Sequence, residues 1–250
     1  MNKHAMLVIV PFHLLAVVGL FFVDQYWHWA IAFFVLFGII GNGVSGHRYF
    51  AHRNFKVAQW LHPVLAYLTV MAAFAPPTYW VIQHAHHHRT SDNIEDIHSP
   101  RRGLGQAWYG WLFDQPYVEF MLSNKMTVAK AILKNRVQWF ERHYYKILFG
   151  SIAALAAISW PVALMYFVAY AVEMFRIGAV NAACHRWGYR NHNTQDQSRN
   201  NIFVGILGLG FGWHNNHHAN PGKLILTERW WEIDVEGYIG WILSHTAKKS

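Results

Sequence analysis

Histidine makes up 18 of the 250 residues, and most of it lies in four tight groups. These are His47-Arg48-Tyr49-Phe50-Ala51-His52, His84-Ala85-His86-His87-His88, His185 with Asn181 four residues before it, and His214-Asn215-Asn216-His217-His218. Neutral imidazole is a ligand for iron, copper, zinc and nickel, so the first chemistry this pattern suggests is metal binding, with the choice of metal left open. On a regular helix at about 100° per residue, positions 87 and 88 lie within about 60° of position 84, whereas His86 points roughly to the far side. His214, His217 and His218 repeat the same H-x-x-H-H template. His47 and His52 are separated by about 140° on a regular helix, so either the helix ends between them or they serve different metals. With His86 set aside, the nine remaining imidazoles in these groups exceed the roughly four to six ligands that a first-row metal takes, which implies two metals. No carboxylates cluster in the manner of soluble di-iron bundles, where Glu supplies ligands. Asp92, Glu95 and Asp96 are candidates to accept the outer N–H of ligand rings; the alternative is a solvated loop.

The elements that must position these groups are apolar. The chain is 54% hydrophobic, 17% aromatic and 14% charged, a composition that fits a membrane part with a sizeable polar part attached. Residues 5–23 contain no Asp, Glu, Lys or Arg, and 29–45 form a second apolar run, with 24–28 as the hairpin link. A third apolar stretch is long enough for two crossings, with Trp160-Pro161 near its middle. The expectation is an all-α integral membrane fold of one domain, 1–250, with four transmembrane helices at about 5–23, 29–45, 141–159 and 162–183. A cap of 46–140 and 185–250 would carry the histidines. The loop from Gly46 to Lys146 holds twelve Lys and Arg, the tail after His185 holds seven, and the two hairpin turns hold none. The basic side, with the histidines and both termini, is therefore expected to face the cytoplasm. Lys3 begins a retained span rather than a signal peptide, because no small-residue cleavage site follows.

Residues 56–80 are apolar enough to suggest a fifth span, but one crossing would separate histidines that share a site. The segment, interrupted by Pro63, Pro76 and Pro77, is too short to cross twice, so it should lie in the interface or dip and return. Residues 202–213 are likewise too short to span. Glu173 and Arg176, three apart within the fourth span, read as a mutually neutralised pair. The net charge of +8 is not gathered into a block or stripe, which argues against a nucleic-acid partner. The single cysteine, Cys184, excludes a disulfide framework and a thiolate-held iron–sulfur cluster, so any redox partner comes from outside.

The H-x-x-x-x-H, H-x-x-H-H, N-x-x-x-H and H-N-N-H-H segments, in this order, resemble those of the membrane acyl desaturases of the stearoyl-CoA desaturase type. Trp80, Asp96-Ile97-His98-Ser99-Pro100, Arg102-Gly103, Gly110-Trp111-Leu112-Phe113 and Trp230-Trp231-Glu232-Ile233-Asp234 extend the likeness. The resemblance implies two iron ions held by His47, His52, His84, His87, His88, His185, His214, His217 and His218, with Asn181 holding a water. His86 and His98 fall outside that set. It also implies O2 as cosubstrate, a delta-9 fatty acyl-CoA or acyl-lipid substrate, and two electrons from a ferredoxin or cytochrome b5 type donor. No bound flavin or heme is implied, and no H-P-G-G heme motif occurs. Arg48, Arg53, Arg101 and Arg102 are candidates for a carrier headgroup, and Trp80, Trp108 and Trp213 for the wall of an acyl tunnel. Two departures stand out. Gly210-Phe211-Gly212 replaces a stretch that often carries an acid before the tryptophan, and Ala107-Trp108 replaces a common serine-histidine pair. The alternatives are a histidine-box hydroxylase of the alkane or carotenoid kind, and a metal-binding or metal-transporting membrane protein.

Overall fold

The chain is seen here as a computed structural model describing residues 3–114 and 136–249; the part of the expected cap from 115 to 135 lies outside the described residues. The described residues are helical, with no strands beyond isolated bridges. The apolar N-terminal run forms α1 (Ala5–Leu20), followed by α2 (Val23–Ala51). The reversal between them falls at Phe21 and Phe22, not at the expected 24–28 link. Asp24 sits in the first turn of α2, where the partial positive charge of the helix N-terminus favours a carboxylate, so the charge starts the helix instead of marking the loop.

From Phe34 to Ala51, α2 runs with i→i+5 hydrogen bonding, which is rare in proteins and frequent at functional sites. Its glycines permit close approach. A Cβ at Gly41 would stand 2.4 Å from the Leu68 carbonyl of α3 (Leu61–Met71). α3 has eleven residues, about 16 Å of helix, shorter than a hydrocarbon core of about 30 Å; it packs on α2, with Leu65, Ala66 and Val70 buried. The chain then turns through Ala73, at φ 55°, into α4 (Pro77–Thr90), which carries the second histidine group back against the end of α2.

Short helices α5 (Leu104–Trp108) and α6 (Arg136–Arg142) lead to α7 (Tyr144–Ile158). Ser159 is extended, and α8 (Trp160–Ala183) begins on Trp160-Pro161, so the expected break is where the sequence put it. α8 is the central element: α1, α2, α5 and α7 all pack on it. Phe12 of α1 lies edge-on to Phe167 and Tyr170, with ring centroids at 4.9 and 5.1 Å. Three further short helices, α9 (Ile202–Leu207), α10 (His214–Ala219) and α11 (Val235–Ser244), complete the cap. Two helices, α2 and α8, are long and apolar enough to cross a membrane; α1, α3 and α7 are shorter.

The Glu173–Arg176 pair is part of a larger buried chain of charges. Arg176 holds Glu173 at 2.7 Å and Glu236 at 2.7 Å, and Asn42 donates to Glu173 at 2.7 Å. Glu236 also meets Arg48, whose second guanidinium edge holds Asp234 at 2.8 Å. The network ties α2, α8 and the start of α11 together, and Asp234 caps α11 by accepting from the Gly237 N–H. Gly43 is needed here, since a Cβ would fall 2.0 Å from the Glu236 carboxylate.

Candidate metal centre

The four histidine groups converge into two clusters at one end of the helices. His47, His52, His84 and His217 form the first, and His87, His185, His214 and His218 the second; within each, one ring nitrogen per residue lies within 4.8 Å of the others. His88 stands between them. Its Nε2 is 3.1 Å from His84 Nε2 and 2.9 Å from His217 Nε2, and its ring is 4.5 Å from that of His218. Each H-x-x-H-H segment therefore serves both clusters, instead of presenting one three-ligand face to one site.

Of the two alternatives for His47 and His52, separate metals does not hold, because both belong to the first cluster; the helix does end between them, at Ala51, with His52 as its C-cap. The His52 N–H donates to the His47 carbonyl at 3.0 Å, an i→i+5 bond that stacks residues five apart and brings the two rings to 4.8 Å. Nothing in the periodicity of the sequence signals this local widening of the helix.

The arrangement fits metal ions. Nε2 atoms face one another at 2.6 Å (His52 and His84), 3.2 Å (His47 and His217) and 2.9 Å (His185 and His214). A neutral imidazole has a single N–H and a single lone pair, so several Nε2 atoms directed at common points leave lone pairs that a cation satisfies. Buried His87 Nε2 and His218 Nε2 have no hydrogen-bond partner. Burial holds His84, His88, His214 and His217 below the ordinary histidine range, His52 down to about 3 and His218 to about 4. These rings are thus in the neutral form that metals bind.

Three acids back the second cluster. Asp92 Oδ2 accepts from His185 Nδ1 at 2.8 Å, Asp196 Oδ2 from His218 Nδ1 at 2.6 Å, and Asp96 Oδ2 lies 3.3 Å from His87 Nδ1. Burial opposes the charge of Asp96 and Asp196, but their histidine partners outweigh it and hold both carboxyls below the usual range. Asp92 and Asp96 match the expected orienting role. Glu95 is exposed, with its backbone carbonyl rather than its carboxylate turned to His86. Asp196 was not foreseen, because it lies 22 residues from His218 in a loop without periodicity. It supplies an outer carboxylate that Gly210-Phe211-Gly212 lacks. His86 is outside both clusters, between the Glu95 carbonyl and Arg89, as the helical-face reading expects.

Asn215 and Asn216 owe their place to structure. Both are fully buried: Asn215 Oδ1 accepts the N–H groups of Asn191 and His192, and Asn216 bonds Glu232, Leu226 and Asn200. Six-residue α10 has too few turns to hold itself rigid, and this amide and carboxylate lattice positions its histidines.

Of the headgroup and tunnel candidates, Trp80 lines the cavity beside the histidines, its ring 4.6 Å from that of His84 and its Nε1–H donated to Asn42 at 2.6 Å. Asn181 lines the same cavity. Arg53, Arg101 and Arg102 are exposed. Arg48 is corrected: it is buried and committed to Asp234 and Glu236, so it has no group left for a headgroup. Trp213 is fully buried with Nε1–H on the Ile233 carbonyl, and Trp108 packs on Gly178 and donates to Phe175; neither lines this cavity. A second, apolar cavity of about 240 Å³, lined by Ile9, Ala75, Tyr79, Trp111 and Leu112, shares Phe74 and Gln83 with the first.

These protonation preferences give a pH prediction. Most imidazoles of the clusters have folded pKa values below the unfolded 6.5, so below that pH the unfolded chain binds more protons and stability falls with pH. His87, raised by Asp96 against the effect of burial, works in the opposite sense alone. The metal-free protein should melt at a lower temperature at pH 5.5 than at pH 7.5, as followed by circular dichroism in detergent. Equal melting temperatures would contradict neutral burial.

The profile of the fatty acid desaturase family matches residues 5–232. Delta-9 acyl-lipid desaturase 2 of Arabidopsis thaliana is 34% identical over 233 residues, covering 91% of this chain and 75% of the relative. The acyl-CoA C20 delta-5 desaturase of Anemone leveillei is 31% identical over 243 residues, covering 91% and 77%. Delta-9 acyl-lipid desaturase 1 of Arabidopsis thaliana is 34% identical over 212 residues, covering 81% and 67%.

Proposed function

Since this chain belongs to the fatty acid desaturase family, and so is an oxidoreductase acting on a fatty acyl substrate, we propose that it inserts a cis double bond at the delta-9 position of an acyl chain. The observation that carries this reading is the convergence of two clusters of imidazoles beside an apolar cavity. The reading places one iron ion with His47, His52, His84 and His217 and the other with His87, His185, His214 and His218, with His88 between them and Asn181 holding a water. When bound, the iron pair would supply, from O2 and two electrons of a ferredoxin or cytochrome b5 type donor, the oxidising power to remove two hydrogens from adjacent carbons.

The residues themselves do the positioning. An unactivated methylene offers no acidic proton to a general base, so selectivity rests on which carbons the walls hold near the histidines. Trp80, Phe74 and Phe211 exclude water from that end, and the apolar cavity beyond Gln83 takes a further length of the chain. Arg101 and Arg102, exposed on the surface, are the candidates for the phosphates of the carrier, with acyl-lipid favoured by the two delta-9 relatives.

The same reading makes all four long apolar helices membrane crossings. α2 and α8 span outright; α1 and α7, 16 and 15 residues, reach about 24 and 22 Å, which local thinning and the apolar residues of their turns accommodate. Leu14, Val17, Leu20, Phe21 and Ile158 project outward from them, as lipid contact requires. The Lys and Arg bias then puts the histidine end and both termini in the cytoplasm.

Gas chromatography with mass spectrometry of total fatty acids, from a bacterial host expressing the chain with a compatible donor, tests this proposal. A new delta-9 monounsaturated acid is expected. A double bond elsewhere would overturn the regiochemistry, and a hydroxylated acid would move the assignment to a hydroxylase.

A further inference from the structure

Four imidazoles form each cluster, with the His88 Nε2 turned to His84 and His217 of the first, but the surroundings of the two differ. In the second cluster, two of the four rings hydrogen-bond an outer nitrogen to a carboxylate, His185 to Asp92 at 2.8 Å and His218 to Asp196 at 2.6 Å, and His87 Nδ1 lies 3.3 Å from Asp96 in a charge contact without a hydrogen bond. In the first cluster, no ring of His47, His52, His84 or His217 has a carboxylate partner among the described residues, and His47 Nδ1 is buried with no hydrogen-bond partner. The acids on that side are committed elsewhere, Asp234 and Glu236 to Arg48, and Glu173 and Glu236 to Arg176. The asymmetry is built in by position. Asp92 and Asp96 belong to the loop that follows α4, and Asp196 to the loop after His185, and both loops close over the second cluster alone.

A carboxylate that accepts the outer N–H of a ligand ring fixes its tautomer, raises the basicity of the opposite nitrogen and adds negative charge near the ion. An all-imidazole shell without such partners leaves a divalent cation uncompensated in a dry site. Taking the two-metal reading above as its basis, we propose that the two metal positions are unequal. The ion among His87, His185, His214 and His218 binds first and at least about tenfold more tightly than the ion among His47, His52, His84 and His217. The first cluster is then the exchangeable position, and a half-loaded enzyme consists mostly of molecules with only the second cluster filled.

The metal-free full chain in detergent, titrated anaerobically with Co(II) and followed by calorimetry and visible absorption, reads this directly without a variant. Two binding steps separated at least about tenfold are expected in the wild type. His52→Ala should delete the weaker step, while Asp196→Asn and Asp96→Asn should weaken the tighter step by about 10- to 100-fold and leave the weaker one in place. Two indistinguishable steps in the wild type would overturn the proposal, as would an Asp→Asn change that acts on the weaker step. Fatty acid product scored on the same protein loaded with iron instead of cobalt separates the two questions: equal affinities with full desaturation would remove the inequality and leave the proposed function standing.

Discussion

Replacing His217 by alanine should abolish desaturation, lowering product by more than about 100-fold and removing at least one of two metal ions, whereas His86→Ala should keep at least about half of both. His217 Nε2 faces His47 at 3.2 Å and His88 at 2.9 Å, so its loss opens the first cluster on two sides. His86 is a neighbour in sequence to His87 yet points away, toward the Glu95 carbonyl and Arg89. The two variants remove the same chemical group from the same end of the molecule and differ only in where it pointed. Metal content by plasma mass spectrometry, alongside the fatty acid profile, separates them. Equal losses in both variants would show that the histidines act as a general polar lining and not through directed lone pairs.

The largest effect on stability is expected at Glu236. Its carboxylate sits between Arg48 and Arg176, and all three side chains are buried. Glu236→Ala would leave two guanidinium groups with one carboxylate each, Asp234 and Glu173, and nothing between them. Breaking a buried ion pair by removing one partner costs about 3–5 kcal/mol, here about 10 °C in melting temperature. Glu228→Ala is the comparison, since Glu228 holds Lys223 at 2.7 Å on the surface and an exposed pair is worth about 0–1 kcal/mol. Thermal unfolding of both in the same detergent gives the difference. A shift at Glu236 no larger than that at Glu228 would mean that the buried network contributes little to holding α2, α8 and α11 together.

Much of the site could be read before the fold was known, because helical spacing is a local property. The H-x-x-H-H segments, the odd orientation of His86, the break at Trp160-Pro161 and the short α3 all follow from periodicity, proline and length. What stayed hidden depends on partners far along the chain or on departures from the regular helix. The i→i+5 winding of α2 reunites His47 with His52 against the 100° rule. Asp196 acts on His218 from a loop, and Glu236 neutralises Arg48 from 188 residues away. Arg48 looked like a headgroup cation because it stands beside the first histidine on the basic side of the chain; its burial is set by α11, which packs on α2. The turn at Phe21 and Phe22 escaped notice because no glycine, proline or charge marks it.

The separation of 170 residues between His47 and His217 has a consequence for biogenesis. All four long apolar helices are complete once Ala183 has been made, but His185 and the last box follow them, so the spans can be inserted while neither cluster yet has all its rings. A ribosome stalled before His214 would release a chain with every apolar helix and no closed cluster. On the proposed four-span, two-iron reading, metal acquisition would follow insertion, and a cell short of iron would accumulate inserted and inactive protein that later supply could rescue without new synthesis.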